Sequence, residues 1–237
     1  MINEPSFIAA DALCLPLESS SVDLVVTHPP YLGVDPSRYK GITEQQITFT
    51  AEQGTLLDRL VGATTEMFRV LKPNGSLAIC IGNVDGILHR YVTRVLDETS
   101  FKLMGEVVWA YSNIRPQQDL GATHATWLCF AKQSAGTHHN PLVIQEYSGI
   151  WNLPLDNTGS AIDQQLDGFM YDTFPEEIAK RFILMFTQLG DTVLDPFGGS
   201  GIAATQAALL GRHGISADIS SDQTELAKKR FAFTVEQ

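Results

Sequence analysis

The chain has 237 residues, of which 44% are hydrophobic and 18% are charged, so it carries enough apolar side chains to bury a sizeable core. This composition excludes a disordered chain, a collagen-like repeat and a coiled-coil rod. The 16 basic and 27 acidic side chains give a formal net charge of −11, which argues against holding nucleic acid by bulk positive charge. Any nucleic-acid function therefore needs a local basic patch or a partner.

Short apolar runs alternate with helical patterns along the chain, which is typical of a largely parallel sheet with helices on its faces. The predicted strands cover residues 6–10, 22–27, 76–81, 106–111, 125–131, 192–194 and 214–217. The predicted helices cover residues 55–71, 85–99, 175–189, 201–210 and 222–234. We therefore expect an α/β fold in a single domain, residues 1–237.

Two stretches, 32–50 and 133–172, break this alternation. Long irregular segments in a compact domain are often binding loops or lids. Residues 133–172, with 32–50 as a second candidate, are therefore expected to form target-recognition or lid segments.

The first ten residues lack a basic segment followed by a long apolar one, and no stretch approaches the roughly 18 apolar residues of a membrane span. We expect a cytoplasmic protein without a membrane partner. The three cysteines, Cys14, Cys80 and Cys129, are too widely spaced for a disulfide framework or a zinc site. No metal is expected.

A glycine-rich motif follows the strand predicted at 192–194. It consists of Asp195, Pro196, Phe197, Gly198, Gly199, Ser200 and Gly201. Glycines at the carboxyl end of a parallel strand let the backbone approach a ligand closely. Asp218 ends the next strand 218 − 195 = 23 positions later, a spacing that places a carboxylate over a ribose diol. No lysine follows the glycines, so the pattern favours a nucleoside without a pyrophosphate. A tight turn that binds nothing is the alternative.

A second motif, Thr27-His28-Pro29-Pro30-Tyr31, follows the strand predicted at 22–27. Consecutive prolines stiffen the backbone and leave carbonyls with no competing amide of their own, and the tyrosine offers a flat aromatic face. Taken alone, this motif is also typical of a rigid turn at the end of a strand.

Together, the two motifs resemble those of the S-adenosylmethionine-dependent DNA amino-methyltransferases, whose catalytic motif is Asp/Asn/Ser-Pro-Pro-Tyr. Segments 68–75 and 174–177 also resemble segments of this family. The catalytic motif precedes the cofactor motif, as in the permuted subgroup. The resemblance implies a Rossmann-like methyltransferase fold with a mostly parallel seven-stranded sheet, helices on both faces and a circularly permuted motif order.

The resemblance implies transfer of a methyl group from S-adenosylmethionine to an exocyclic amino group of a DNA base swung out of the duplex, as in restriction-modification systems. Thr27, just before His28-Pro29-Pro30-Tyr31, resembles the Thr-Ser-Pro-Pro-Tyr variant of the cytosine-amino enzymes, so cytosine N4 is favoured over adenine N6. Two alternatives stay open: a methyltransferase of this fold for RNA or another amino substrate, and a binding module that keeps the cofactor without turnover. The short chain also predicts a homodimer or a specificity partner that completes the DNA contact.

The resemblance also assigns residues to roles. The catalytic group is His28, Pro29, Pro30 and Tyr31. The cofactor group is Asp11, Thr27, Phe174, Pro175, Asp195, Pro196, Phe197, Gly198, Gly199, Ser200, Gly201 and Asp218. The nucleic-acid group is Arg38, Lys40 and Arg115, whereas the basic run 228–230 is typical of solubilising surface charge. Within the cofactor group, Asp11 is expected on the adenine amino group, Asp218 on the ribose hydroxyls, and Phe174 with Pro175 on the methionine side.

The permuted order also makes a prediction about the termini. The chain ends after one strand and one helix beyond the glycine motif, so residues 6–11 are expected to supply the next strand, beside residues 214–218. Asp11 would then lie at the carboxyl end of that strand, next to the cofactor pocket; a solvated turn is the alternative for this carboxylate.

His28 departs from the family, which has Asp, Asn or Ser at this position. A neutral imidazole has one acceptor nitrogen for an amino hydrogen, whereas a protonated ring has none, so activity is expected to fall at low pH. Two other interpretations stay open. His28 packs against the loop while the Pro29 carbonyl does the work, or the site has lost activity.

Overall fold

The computed structural model describes residues 3–30, 53–82, 86–112, 123–132, 140, 143–144, 146, 149–154 and 174–236. Four of the predicted functional residues, Tyr31, Arg38, Lys40 and Arg115, lie outside the described residues. The same holds for all of segment 32–50 and for most of segment 133–172.

Strands and helices alternate over most of this part of the chain. In chain order they are β1 (Ser6–Ala9), β2 (Val22–Thr27), α1 (Gln53–Val70), β3 (Leu71–Ile81), α2 (Ile87–Glu98), β4 (Lys102–Tyr111), β5 (His124–Ala131), β6 (Ile150–Leu153), α3 (Glu176–Phe186), β7 (Thr192–Asp195), α4 (Ile202–Leu209), β8 (His213–Asp218) and α5 (Ser221–Glu236). The predicted elements are all present, with ends that shift by a few residues.

One mixed sheet contains all the described strands, in the order β1-β8-β7-β2-β3-β5-β4-β6. Its pairs are parallel except that β5 runs antiparallel to both β3 and β4. The first strand of the chain lies beside the last, with Ala9 opposite Asp218. The predicted Rossmann-like sheet and the predicted pairing of the terminal strands are therefore confirmed.

Within the described residues the sheet has eight strands, where the sequence predicted seven. The additional strand, β6, lies in the segment 133–172 that was predicted to be irregular, and it pairs in parallel with the end of β4 from Val108 to Tyr111. It is only four residues long, so it carries no periodicity that would separate it from a loop. Packing holds it in place: Trp151 is buried against Phe182 of α3, with ring centroids 4.8 Å apart.

Helices cover both faces of the sheet because successive strand residues point to opposite sides. On β2, Val25 joins a core formed with α1 and α2, whereas Leu24 and Val26 join a second core formed with α3 and α4. The central strands are buried on both sides, as expected for parallel strands between two helical layers. None of the helices in the described ranges is long and apolar enough to cross a bilayer.

A buried arginine joins the ends of two helices on the second face. Arg212 Nε donates to Thr187 Oγ1 at 3.1 Å, Nη2 donates to the Thr187 carbonyl at 3.0 Å, and Nη1 donates to the Leu210 carbonyl at 2.6 Å. Thr187 and Leu210 are the C-caps of α3 and α4, whose last carbonyls lack partners within the helix. Burial lowers the pKa of Arg212, but the cation sits where two helix dipoles favour it.

Replacing Arg212 with methionine should therefore lower the free energy of unfolding by about 2–4 kcal/mol, because buried acceptors lose their donors. Urea unfolding followed by circular dichroism measures this change. Arg94→Met is the matched control. The Arg94 side chain is 34% exposed and pairs with Asp58 and Glu98 at the surface, so its loss should cost less than about 1 kcal/mol. Equal losses in the two variants would contradict the capping role.

Candidate active site at the carboxyl edge of the sheet

Four neighbouring parallel strands end at the same edge of the sheet. In spatial order β1, β8, β7 and β2 end at Ala9, Asp218, Asp195 and Thr27. Both sequence motifs lie at this edge: the glycine motif continues β7, and the motif that begins at Thr27 continues β2. Ligands of open α/β sheets bind in the crevice outside such an edge.

The glycine motif forms a tight loop pressed against β8 and α5. The Gly198 N–H donates to the Ala217 carbonyl at 2.8 Å, and a Cβ added to Gly198 would lie 1.9 Å from Ser216 Oγ. Gly201 has φ +74, and a Cβ there would lie 2.8 Å from the Cβ of Ala227 in α5. Side chains at these positions would push the loop off the sheet, so the glycines bring the backbone close to the edge.

Asp218 holds this loop from the end of β8. Its Oδ2 accepts the Gly199 N–H at 2.9 Å and its Oδ1 accepts the Ser220 N–H at 2.8 Å. Burial raises the pKa of Asp218, and the two hydrogen bonds oppose that rise. Each carboxylate oxygen can accept more than one hydrogen bond, so the side chain keeps capacity for a ligand hydroxyl.

A hydrogen bond between buried side chains joins the two motifs. Thr27 Oγ1 donates to Asp195 Oδ1 at 2.6 Å, and the same oxygen accepts the Phe197 N–H at 3.1 Å. Thr27 is 0% exposed and Asp195 is 2% exposed. The first residue of one motif is thereby fixed to the first residue of the other, across the β2–β7 pair.

Burial raises the pKa of the Asp195 carboxyl from 3.8 to about 7. The hydrogen bonds from Thr27 and Phe197 oppose the rise, and the charge of Asp218 adds to it. Between these two pKa values the folded chain holds a proton that the unfolded chain has released. This group therefore makes the fold less stable as the pH rises from about 4 to 7.

The variant Asp195→Asn should remove this pH dependence. An amide oxygen can still accept from Thr27 and Phe197, so the stability of the variant relative to the parent should grow with pH, by up to roughly 1.4 kcal/mol per pH unit between 4 and 7. Chemical unfolding at a series of pH values measures this. Asp97→Asn, which removes an exposed carboxylate of α2, should keep the profile of the parent. A parallel pair of profiles for Asp195→Asn and the parent would contradict a neutral buried carboxyl.

The half-buried His28 lies directly after β2, against aromatic rings from two other elements. Its imidazole stacks on Trp127 of β5, with ring centroids 6.2 Å apart and an interplanar angle of 23°. It also contacts Phe174 edge to face, at 5.9 Å and 85°. Pro29 is buried and Pro30 is half-buried. Phe174 and Pro175 therefore lie near the catalytic motif, at the start of α3.

Asp11 lies two residues beyond β1, at the same edge. Its Oδ1 accepts the Leu13 N–H at 2.9 Å, and its carbonyl accepts the Cys14 N–H at 2.9 Å. Such a turn is a usual place for Asp and holds the half-buried side chain in one position. The structure thus brings Asp11, Asp195 and Asp218 to one edge, where three adjacent strands end.

Sequence reasoning missed two residues that contact this region. Trp127 lies in the interior of a predicted strand and gives no signal beyond core packing. Arg230 belongs to the basic run 228–230 of the last helix, but it is only 2% exposed, so the prediction of a surface charge is wrong for this residue. Lys228 and Lys229 are exposed.

Arg230 is buried because it reaches another helix. Its Nη2 donates to Glu176 Oε1 at 3.1 Å, and Gln206 Nε2 donates to Glu176 Oε2 at 3.2 Å. Glu176 is the first residue of α3, so α4 and α5 both hold the point where Pro175 enters that helix. In the described ranges no group of three or more His, Cys, Asp or Glu side chains is placed so that it could hold a metal ion.

The family profile described as DNA methylase, which covers N6 and N4 methyltransferases, matches residues 22–229. The chain belongs to this DNA methylase family. The matched range contains both motifs, from the start of β2 into α5, and the chain is accordingly an enzyme of the methyltransferase class.

Relatives and solved structures agree with this family. The methylase is 28% identical to the type II methyltransferase M.HpaI of Haemophilus parainfluenzae over 229 residues, which is 90% of this chain and 69% of that protein. The PvuII cytosine-N4-specific DNA methyltransferase superposes with a TM-score of 0.75 at 21% identity, covering 94% of this chain and 84% of that one. TTHA0409 of Thermus thermophilus, solved in complex with S-adenosyl-L-methionine, gives a TM-score of 0.70 at 25% identity over 98% and 95% of the two chains.

Proposed function

We propose that this DNA methylase transfers a methyl group from S-adenosylmethionine to an exocyclic amino nitrogen of a base in DNA. The observation that carries the proposal is the hydrogen bond from Thr27 to Asp195. It fixes the first residue of the Thr27-His28-Pro29-Pro30-Tyr31 motif to the first residue of the glycine loop. A base held by one motif would therefore lie beside a cofactor held by the other.

The residues at the carboxyl edge fit S-adenosylmethionine. When bound, this cofactor supplies an electrophilic methyl group on a positively charged sulfur. The buried Asp218 offers carboxylate oxygens to the hydroxyls of a nucleoside, Asp195 holds the start of the glycine loop, and the loop from Pro196 to Gly201 offers close backbone. Asp218 would take the ribose hydroxyls and Asp11 the adenine amino group, while Phe174 and Pro175 would line the methionine side.

The chemical problem for the protein is the amino group, whose lone pair is delocalised into the base. Hydrogen-bond acceptors around its N–H bonds localise the lone pair on nitrogen and direct it toward the methyl group. The Pro29 carbonyl is one such acceptor, and the neutral imidazole of His28 is the other. Protonation of the imidazole removes that acceptor, so the rate should fall at low pH.

The base would leave the duplex to reach this site, and Tyr31 would stack on it. Because Thr27 precedes the His28-Pro29-Pro30-Tyr31 sequence, we favour cytosine N4 over adenine N6. We infer that Arg38, Lys40 and Arg115 contact phosphate or base. Segment 133–172, with 32–50, would supply target recognition, and a second copy or a specificity subunit would extend the DNA contact. The protein would act on DNA in the cytoplasm, without a membrane.

The experiment uses labelled S-adenosylmethionine with unmethylated duplex DNA, followed by digestion to nucleosides and mass analysis. We expect N4-methylcytosine, with N6-methyladenine as the alternative product. Pro30→Ala should abolish the product, whereas the matched control Pro16→Ala, at an exposed proline, should not change it. Cofactor binding by calorimetry without label in DNA would overturn the proposal. Label in RNA would then favour an RNA methyltransferase, and label in neither would favour a binding module.

A further inference from the structure

His28 differs from the Asp, Asn or Ser of the catalytic motif that this chain otherwise resembles, and the structure shows which side chains surround it. A histidine replaces the short Asp, Asn or Ser side chain, and its ring lies on the face of Trp127. The acceptor oxygen of Ser, Asp or Asn lies close to the backbone, whereas the imidazole is a larger ring whose Nε2 lies further from Cα. Rotation about its two side-chain torsions moves the ring nitrogens over a wide arc, so the acceptor nitrogen can point in many directions unless neighbours restrict it.

Trp127 is itself held on its other sides. It is 0% exposed, its ring centroid lies 5.2 Å from Phe174 in an edge-to-face contact, and Phe182 of α3 lies 5.0 Å away. Phe174 in turn contacts the edge of His28. The rings of Trp127 and Phe174 thus restrict the imidazole from its face and from its side. We call this pair the imidazole seat.

The indole N–H of Trp127 gives no reason for a tryptophan at this position. Its Nε1–H is buried and has no hydrogen-bond partner in the part of the chain that the structure describes. A phenylalanine would fill the strand interior without burying an unpaired donor, which is unfavourable. What the indole adds is a larger flat face, and that face is where the imidazole of His28 lies.

We propose that Trp127 is a positioning residue for the reaction, which holds the imidazole of His28 so that its acceptor nitrogen meets the amino group of the target base. This inference depends on the proposed role of His28 as an acceptor. Trp127 acts through His28: its described ring contacts are with His28, Phe174 and Phe182, so it reaches the proposed cofactor site only through Phe174.

Methyl transfer by four chains tests the proposal: the parent, Trp127→Leu, His28→Ser and the double variant. Trp127→Leu should lower kcat by about ten- to a hundredfold relative to the parent. The Kd for S-adenosylmethionine, measured by calorimetry, should not change. In the His28→Ser background the same change should alter kcat by less than about twofold. Trp127→Phe, which keeps a smaller ring, should recover only part of the rate.

Three results of this cycle would overturn the proposal. An equal fall of kcat in both backgrounds would show that Trp127 acts without His28. A parallel loss of cofactor affinity would show that Trp127 supports the cofactor pocket instead. If His28→Ser keeps the full rate of the parent, the assigned role of His28 fails along with the inference. The proposed reaction fails only if the parent chain transfers no methyl group.

A measurement that needs no turnover covers the case in which Trp127→Leu fails to fold. In proton NMR of the parent, the imidazole signals of His28, identified by their loss in His28→Ser, should be shifted upfield by the ring current of Trp127. The shift should shrink in Trp127→Phe, whose ring is smaller. Imidazole signals of His28 at the same position in the parent and in Trp127→Phe would show that no stack exists in solution, and would overturn the proposal.

Discussion

The variant Asp218→Asn should bind S-adenosylmethionine about ten- to a hundredfold more weakly than the parent chain. The two carboxylate oxygens of Asp218 accept backbone N–H groups from Gly199 and Ser220. An asparagine has a single acceptor oxygen, so its amide nitrogen would face one of these donors. Two buried N–H groups that face each other without an acceptor cost about 1–3 kcal/mol. Every 1.4 kcal/mol corresponds to a factor of ten in an equilibrium constant.

The loss should fall mainly on the cofactor because Asp218 joins the glycine loop to the turn into α5. Without one of its hydrogen bonds, either Gly199 or Ser220 moves away from the end of β8. The proposed contact with the ribose hydroxyls is weakened by the same change, because the charge is lost. Burial raises the pKa of Asp218, so removing the charge also relieves some desolvation. The fold itself should therefore lose less than the cofactor site.

Isothermal calorimetry and urea unfolding together measure this difference. Asp222→Asn is the matched control, because Asp222 is exposed in the first turn of α5, four positions from Asp218. It should keep the affinity of the parent. An unchanged Kd in Asp218→Asn would contradict the placement of the cofactor at this edge. A weaker Kd in both variants would indicate an effect of net charge alone.

The glycine loop and the buried strands could be predicted because each depends on residues that are close together in the sequence. The glycine motif allows one backbone path between β7 and α4, and the apolar runs are buried between two helical layers. The pairing of β1 with β8 could also be predicted, because the permuted motif order places the first strand of the chain next to the strand that follows the glycine motif. In each case a constraint within a few residues, or one rule of topology, determined the result.

The contacts that determine the site could not be predicted, because they join distant positions. Trp127 and His28 come together only through the sheet order, in which β5 lies two strands from β2. Arg230 follows two exposed lysines, and only its contact with Glu176 distinguishes it from them. The strand β6 is too short to show alternation. Packing decides all three, and a single sequence contains no direct record of packing.

A methyl group added at Gly214 should strongly destabilise the fold. Gly214 lies near the start of β8, and a Cβ there would lie 2.2 Å from the carbonyl oxygen of Ala204 and 2.8 Å from its Cα. These are backbone atoms of α4, so no side-chain rotation relieves the overlap. By contrast, the atom nearest to a Cβ at Gly198 is the rotatable hydroxyl of Ser216.

Gly214→Ala therefore requires α4 to move away from the sheet. We expect a loss of about 3 kcal/mol in the free energy of unfolding, at the upper end of typical overpacking costs. Because Gly201 of the glycine loop is the N-cap of α4, the movement should also weaken cofactor binding in the molecules that remain folded. Gly54→Ala is the matched control: Gly54 is in the first turn of α1, with no described atom within 4 Å of an added Cβ. It should be neutral or stabilising by about 0.5–1 kcal/mol.

Comparing Gly214→Ala with Gly54→Ala separates two contributions to the free energy of unfolding, the packing of the added methyl group and the backbone entropy of the unfolded chain. Both replace a glycine by the same residue and both restrict the unfolded chain equally, so that contribution cancels between them. The remaining difference is the contact between β8 and α4, which sets the distance from the sheet at which the glycine loop enters its helix. Equal stability of the two variants would mean that α4 can withdraw without cost. The glycine loop would then lack the fixed base on which the proposed cofactor site depends.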